Sequence, residues 1–312
     1  MSLIIMKFFR HQSASLSSTS LIYLHKGLEI MISNKRSLHR GLLNKPINPS
    51  KEADWKNSEN LYFDSYARTS IHKTMIEDSV RTKTYKNAIL HIKHLFKDKV
   101  VMDVGCGTGI LSLFAAKAGA KRVIGVEKTD FAILARQVVL DNNFQEVVTI
   151  LYGKVEEVEL PYDVDKVDVI VSEWMGYCLF YESMLPSVLF ARDKWLVKDG
   201  IIFPDIVRLY LFGMYDKEEV RNTWNYLKTN HSELDMSALT ELHTKDGHFG
   251  GIDPISIITT EELVKEFDLK TGKPEDIDFK SDFCMKGTVP GCKQFNGVGT
   301  YFEVDHSLSP RN

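Results

Sequence analysis

The sequence predicts an α/β fold: an open, doubly wound parallel sheet over residues 52–203, then a β-rich second domain over 204–312. Three observations lead there. Apolar strand-like runs alternate with helical patterns from Val100 to Phe203, as repeated βα units do. A glycine-rich turn, Gly105-Cys106-Gly107-Thr108-Gly109, follows the first of those runs. After Pro204 the texture changes to short β-type runs around a polar, helical insert at about 217–242.

Composition bounds the rest. The 312 residues are 44% hydrophobic and 26% charged, the balance of an ordinary globular chain. No apolar run approaches the roughly 18 residues a membrane helix needs, so no membrane partner is expected. Four cysteines without C-x-x-C spacing predict neither a disulfide framework nor a metal site. Residues 1–51 carry eight Lys/Arg against Glu29, a balance of +7, which leaves −10 on the remainder of a chain whose net charge is −3. An acidic body argues against direct nucleic-acid binding and suits a basic substrate.

The elements follow in order. Residues 1–51 are basic and rich in serine (Ser13, Ser15, Ser17, Ser18, Ser20) and are expected to be disordered, with a mitochondrial targeting segment as the competing reading. Pro46 and Pro49 mark a linker. Ile71, Met75, Ile76 and Val80 recur at helical spacing, and a second helix is expected from about Thr82 to Phe96. Val100–Val104 is uninterrupted enough for a strand covered on both faces. Helices are expected over Ile110–Ala118, Ala132–Leu140 and Leu185–Trp195, and strands over Arg122–Val126, Val147–Leu151, Val167–Val171 and Gly200–Phe203. Beyond Pro204, strands are expected at Val207–Met214, Ser256–Thr259, Phe279–Cys284 and Gly299–Val304.

The glycine turn sits where Rossmann-like domains bind a nucleotide-type cofactor, because only glycine lets a backbone approach a ligand so closely. The dinucleotide pattern G-x-G-x-x-G fails at Ile110. What stands instead is D-x-G-x-G-x-G, with Asp103 two residues before the turn. A carboxylate there repels a pyrophosphate but suits the ammonium of an amino-acid tail, which points to S-adenosylmethionine. Glu127, 22 residues after Gly105, falls where an acid accepts hydrogen bonds from ribose hydroxyls. The plain alternative is a tight turn with a surface acid.

The strand Val167–Val171 runs into Ser172-Glu173-Trp174-Met175-Gly176-Tyr177-Cys178-Leu179-Phe180-Tyr181-Glu182, whose two acids bracket eight uncharged residues. Two carboxylates beside an apolar loop have raised pKa values unless a cation lies between them, and a planar guanidinium can bond to both. The alternative is two unrelated rim acids.

With these residues in hand, Ser172 to Leu185 (SEWMGYCLFYESML) resembles the double-Glu loop of the protein arginine N-methyltransferases, close to the type I enzymes. Tyr62-Phe63-Asp64-Ser65-Tyr66, Val104 to Gly109, Gly153 to Leu160 and Ala191 to Trp195 are similar to that family in order and spacing. The resemblance implies an S-adenosylmethionine-binding domain, then a partial β-barrel with a helical dimerisation arm. It implies methyl transfer to arginine in Gly/Arg-rich proteins or histones, in cytoplasm and nucleus, by a homodimer or a heterodimer with a relative. Residue by residue, His72, Arg81, Gly105, Gly107, Glu127 and Glu156 would contact the cofactor, Arg81 through its carboxylate and Glu156 near the adenine. Tyr62 and Tyr66 would close over it. Glu173 and Glu182 would hold the substrate guanidinium, and Met75 and Met184 would shape the pocket for asymmetric dimethylation. Met75 reads equally as core, His72 as a satisfied histidine and Arg81 as a solvated helix residue. The family's Thr-His-Trp loop, whose His pairs with the Asp at the position of Asp78, is not among these residues, so a C-terminally truncated barrel is expected. That leaves a second expectation open, a catalytically weak cofactor-binding partner of a full-length relative.

Overall fold

The computed structural model describes residues 6–9, 21–22, 66, 69–181, 183–216, 234, 248–290 and 295–306. Twelve strands are assigned among them: β1 Met6–Phe9, β2 Leu21–Ile22, β3 Val100–Val104, β4 Arg122–Glu127, β5 Val148–Tyr152, β6 Val167–Val171, β7 Leu196–Phe203, β8 Ile206–Met214, β9 His248–Phe249, β10 Glu262–Asp268, β11 Met285–Lys286 and β12 Gly297–Asp305. The α-helices are α1 Thr69–Glu77, α2 Ser79–His91, α3 Ile110–Lys117, α4 Phe131–Asp141 and α5 Leu185–Trp195.

Strands β3 to β7 form one parallel sheet in the order β5-β4-β3-β6-β7. Its two faces follow the period of two along each strand. Val101, Val123, Val169 and Val171 point into a core shared with α2, α3 and α4, through Tyr85, Ile89, Leu113, Ala132 and Ala135. Met102, Ile124, Val126 and Ile170 point the other way, to Leu185, Val188 and Leu189 of α5 and to Val207, Leu209 and Phe267 of the second domain. Burial on both faces explains why these strands read as continuous apolar runs. The chain steps from β3 outward to β4 and β5, then returns to place β6 on the other side of β3. The carboxyl ends of β3 and β6 therefore flank the switch point, where ligands of such sheets bind.

A cis peptide at Phe203–Pro204 precedes β8 and an antiparallel sheet of order β10-β8-β12-β1-β9. β8 and β12 pair over nine residues, from Ile206–Asp305 to Met214–Gly297. Several expectations change here. Met6–Phe9, expected in a disordered extension, forms β1 between β12 and β9. Strand pairing uses main-chain groups, so a four-residue run can join a sheet whatever the composition around it. The expected strand at 256–259 is instead a 3-10 turn, Pro254–Ser256, followed by isolated bridges from Ile257 and Thr259, because Pro254 has no N–H and Asp253 caps the turn through Ile255 N–H. The run 279–284 is largely irregular. The insert at 217–242, apart from Leu234, lies outside the described residues. Among the described residues no helix is long and apolar enough to cross a membrane.

Candidate active site

The glycine turn begins where β3 ends. Gly105, Gly107 and Gly109 have φ of 71°, 52° and 79°, a region that costs an L-residue about 1–2 kcal/mol. A Cβ on Gly105 would overlap the Met184 methyl, and one on Gly107 would stand 3.2 Å from His72 Cε1. The turn is therefore lined by side chains from α1 and from the start of α5. Gly105 and Cys106 both donate their N–H to Val126 O, at 2.9 and 3.0 Å, which anchors the turn to β4.

Glu127 ends β4 and is 8% exposed. Its Oε2 accepts from Gly107 N–H at 2.9 Å, and its Oε1 from the N–H and hydroxyl of Thr129, each at 2.7 Å. Three donors hold the carboxylate in place, and a carboxylate can accept more than three bonds. His72 is buried, stacked on Phe131 with ring centroids 3.6 Å apart, and its Nε2 lies 2.8 Å from Tyr66 O. A carbonyl only accepts, so Nε2 carries the proton. Burial lowers the His72 pKa and keeps the ring neutral.

Asp103 departs from expectation. Rather than facing an ammonium at the cleft, it is fully buried and its Oδ2 accepts from Ser112 Oγ of α3 at 2.7 Å. The cause is its place within β3, between two paired neighbours, where the side chain must enter a helix layer. Burial pushes its pKa up to about 7, the Ser112 bonds oppose that more weakly, and Oδ1 has no partner among the described residues.

Glu173 follows β6 by two residues. Its side chain is 22% exposed, and its Oε2 accepts from Arg81 Nη1 of α2 at 3.0 Å. Burial raises the Glu173 pKa. The Arg81 guanidinium opposes that, and Asp78 adds to it. Arg81 thus pairs with Glu173 in this structure. Asp78 caps α2, accepting from Val80 and Arg81 N–H at 3.1 Å. The loop after Glu173 turns tightly, with Cys178 and Leu179 at φ of 47° and 68°. It closes through Met184 N–H to Trp174 O at 3.2 Å. Strain of this kind collects at functional loops.

Gly105, Gly107, His72, Glu127 and Met184 thus meet at the turn, while Arg81 and Glu173 meet beside the end of β6. Glu156 is exposed and accepts from Ser187 Oγ at 2.6 Å, which ties its loop to α5. Met75 is half-buried on α1, and Tyr66 is half-buried. Tyr62 and Glu182 lie outside the described residues. Thr129, Ser172 and Tyr85 were not singled out from the sequence. Thr129 had a signal, a hydroxyl two residues after a site carboxylate, whereas nothing in sequence joins Tyr85 to Ser172.

These residues fit S-adenosylmethionine. The left-handed glycine turn presents close backbone, Glu127 is fixed by three donors and its oxygens can accept more, and the Arg81 guanidinium, which gives one N–H to Glu173, has others to offer a carboxylate.

Comparisons with known proteins agree. A family model described as ribosomal protein L11 methyltransferase (PrmA) matches residues 82–202, and one described as arginine methyltransferase oligomerization subdomain matches 206–311. Protein arginine N-methyltransferase 1 of Caenorhabditis elegans is 49% identical over 80% of this chain and 71% of its own length. Protein arginine N-methyltransferase 8-B of Danio rerio is 44% identical over 85% of this chain and 61% of its own. The Chlamydomonas reinhardtii protein arginine N-methyltransferase 1 is 50% identical over 72% and 64%. The chain thus spans about two thirds of these relatives. Among solved structures, the Trypanosoma brucei PRMT1 enzyme-prozyme heterotetrameric complex with AdoHcy matches with a TM-score of 0.72 and 39% identity, covering 79% of this chain and 76% of that one. Protein arginine methyltransferase 10 of Arabidopsis thaliana matches with a TM-score of 0.67 and 34% identity, over 78% and 74%.

Proposed function

The chain belongs to the protein arginine N-methyltransferase family, and from that premise we propose that it methylates arginine guanidino nitrogens in proteins, giving mono- and asymmetric dimethylarginine. The observation that carries this reading is Glu173, a half-buried carboxylate at the carboxyl end of β6, paired with Arg81 at 3.0 Å and flanking the same switch point as the glycine turn.

Bound S-adenosylmethionine supplies an electrophilic sulfonium methyl. The glycine turn, Glu127, His72 and Arg81 hold it, with Tyr66 and Glu156 at its margins. Asp103 acts from beneath, fixing the turn through Ser112. Glu173 fixes the plane of the incoming guanidinium and draws its positive charge away from the attacking nitrogen. Arg81 occupies Glu173 Oε2, and Oε1 has no donor among the described residues. A pKa raised by burial suits Glu173 to receive the proton the nitrogen sheds. Alignment supplies most of the acceleration, since orientation alone can be worth several kcal/mol. Met184, against Gly105, limits the room beside the acceptor nitrogen together with Met75, and the family resemblance gives Glu182 the role of second guanidinium-binding acid.

Basic substrates such as Gly/Arg-rich proteins or histones suit the −10 balance beyond residue 51. The T. brucei PRMT1 enzyme-prozyme complex is heterotetrameric, and we extend oligomer formation to this chain, by self-association or with a relative, through residues 217–242. The curated relatives carry the enzyme's name, which favours the enzyme over the cofactor-binding regulatory partner.

The test is mass spectrometry of a Gly/Arg-rich peptide incubated with S-adenosylmethionine and the purified chain, beside Glu173→Gln. Asymmetric dimethylarginine that disappears in the variant supports the reading. A folded, cofactor-binding chain that leaves the peptide unmodified overturns it.

A further inference from the structure

We propose that Ser172 and Tyr85 are positioning residues for Glu173, fastening the end of β6 to the end of β3 so that the acceptor carboxylate keeps register with the glycine turn. The proposal rests on the reading of Glu173 as the guanidinium-binding acid.

Ser172 is fully buried and immediately precedes Glu173. Its three polar groups reach in three directions. The N–H donates to Phe203 O of β7 at 2.9 Å. The hydroxyl donates to Val104 O at 2.7 Å, and Val104 is the residue before Gly105. The carbonyl accepts from Tyr85 OH of α2 at 2.9 Å. The parallel register of β3 and β6 extends to Asp103–Val171. The Ser172 hydroxyl adds one more link at the next residue, where each strand turns into its half of the site.

Tyr85 lies one helical turn after Arg81 on α2, so both side chains face the end of β6. Arg81 grips the Glu173 carboxylate and Tyr85 grips the carbonyl before it. The Tyr85 ring is 3% exposed and packs edge-on against His306, with centroids 5.0 Å apart. Burial, with the negative charge of Glu173, raises its pKa well above the usual value, so the hydroxyl remains a donor at every working pH. Packing alone does not require these two hydroxyls, because alanine and phenylalanine would fill the same space. What they add is direction. Loss of either frees the main chain beside Glu173, and a displacement of about 1 Å in a reacting group can cost roughly a hundredfold in rate.

The experiment compares Ser172→Ala, Tyr85→Phe, Ser172→Thr and Glu173→Gln in the full chain. It reads kcat and KM for a Gly/Arg-rich peptide, affinity for S-adenosylhomocysteine, and cooperative thermal unfolding. Ser172→Ala and Tyr85→Phe are expected to lower kcat about tenfold to a hundredfold. Cofactor affinity should stay within about twofold, and Ser172→Thr should recover much of the loss. Unchanged kcat in Ser172→Ala and Tyr85→Phe, with Glu173→Gln inactive, overturns the proposal and leaves the site reading intact. Full activity in Glu173→Gln overturns the site reading itself. If Ser172→Ala does not fold, Tyr85→Phe, which keeps the ring, decides alone.

Discussion

Arg81 Nη1 donates to Glu173 Oε2 at 3.0 Å, joining residues 92 apart in sequence. The pair brings a cation from α2, the helix before β3, to the carboxylate that follows β6, and both side chains are mostly buried, at 17% and 22% exposed. Removing one partner of such a pair leaves the other desolvated and uncompensated.

Arg81→Ala is therefore expected to raise the Glu173 pKa further. Guanidinium binding needs the ionised acid, so activity falls as pH drops through that pKa, and the acid limb of kcat/KM should move to higher pH. A loss of tenfold or more at neutral pH is expected. A pH–rate profile checks it, and an unmoved limb would mean Glu173 does not govern it.

Gly105→Ala tests the turn. Its φ of 71° alone costs about 1–2 kcal/mol for alanine, and the overlap with Met184 adds to that. Thermal unfolding should show the loss, and Met184→Ala in the same chain should recover the steric part while leaving the backbone part.

Glu127 and Thr129 should show graded effects on cofactor affinity. Glu127→Gln sets an amide against donors that the carboxylate now accepts, and hydrogen bonds to charged groups are worth about 1.5–3 kcal/mol. Thr129→Val removes one of those donors, for about 1 kcal/mol. Calorimetric titration with S-adenosylhomocysteine measures both, and a Glu127→Gln affinity no weaker than that of Thr129→Val would remove Glu127 from the cofactor site.

His306 is buried between Tyr85 and Phe203, and among the described residues neither ring nitrogen has a partner. Burial lowers its pKa to about 4. The unfolded chain, with an ordinary histidine pKa near 6.5, then binds more protons between those values. This stability is present in full above about pH 6.5 and declines by roughly 1.4 kcal/mol per unit as pH falls toward 4. His306→Phe keeps the aromatic packing without the polar atoms. It should raise the melting temperature at pH 7 and remove this part of the acid slope, as thermal unfolding across pH 4–8 would show.

The parallel sheet was legible because its strands are buried on both faces, so Val100–Val104 and Val167–Val171 are apolar but for one aspartate each, Asp103 and Asp168, and their ends match the observed ones. β10 was not, because only Phe267 of Glu262–Asp268 is fully buried and the charges between outweigh the pattern. β1 was hidden by the basic, serine-rich residues around it.

The site divides in the same way. The glycine turn at 105 and 107, the place of Glu127 at the end of β4 and that of Glu173 just beyond β6 were readable from sequence, since backbone conformation and strand ends are local properties with local residue preferences. Whether Asp103 faced a cleft or a helix, which acid Arg81 would meet, and that Tyr85 would reach the carbonyl of Ser172 were decided only by tertiary structure. Those outcomes depend on which helix layer covers each face of β3 and β6. Packing across 87 to 92 residues of chain settles that, and no spacing within a segment encodes it.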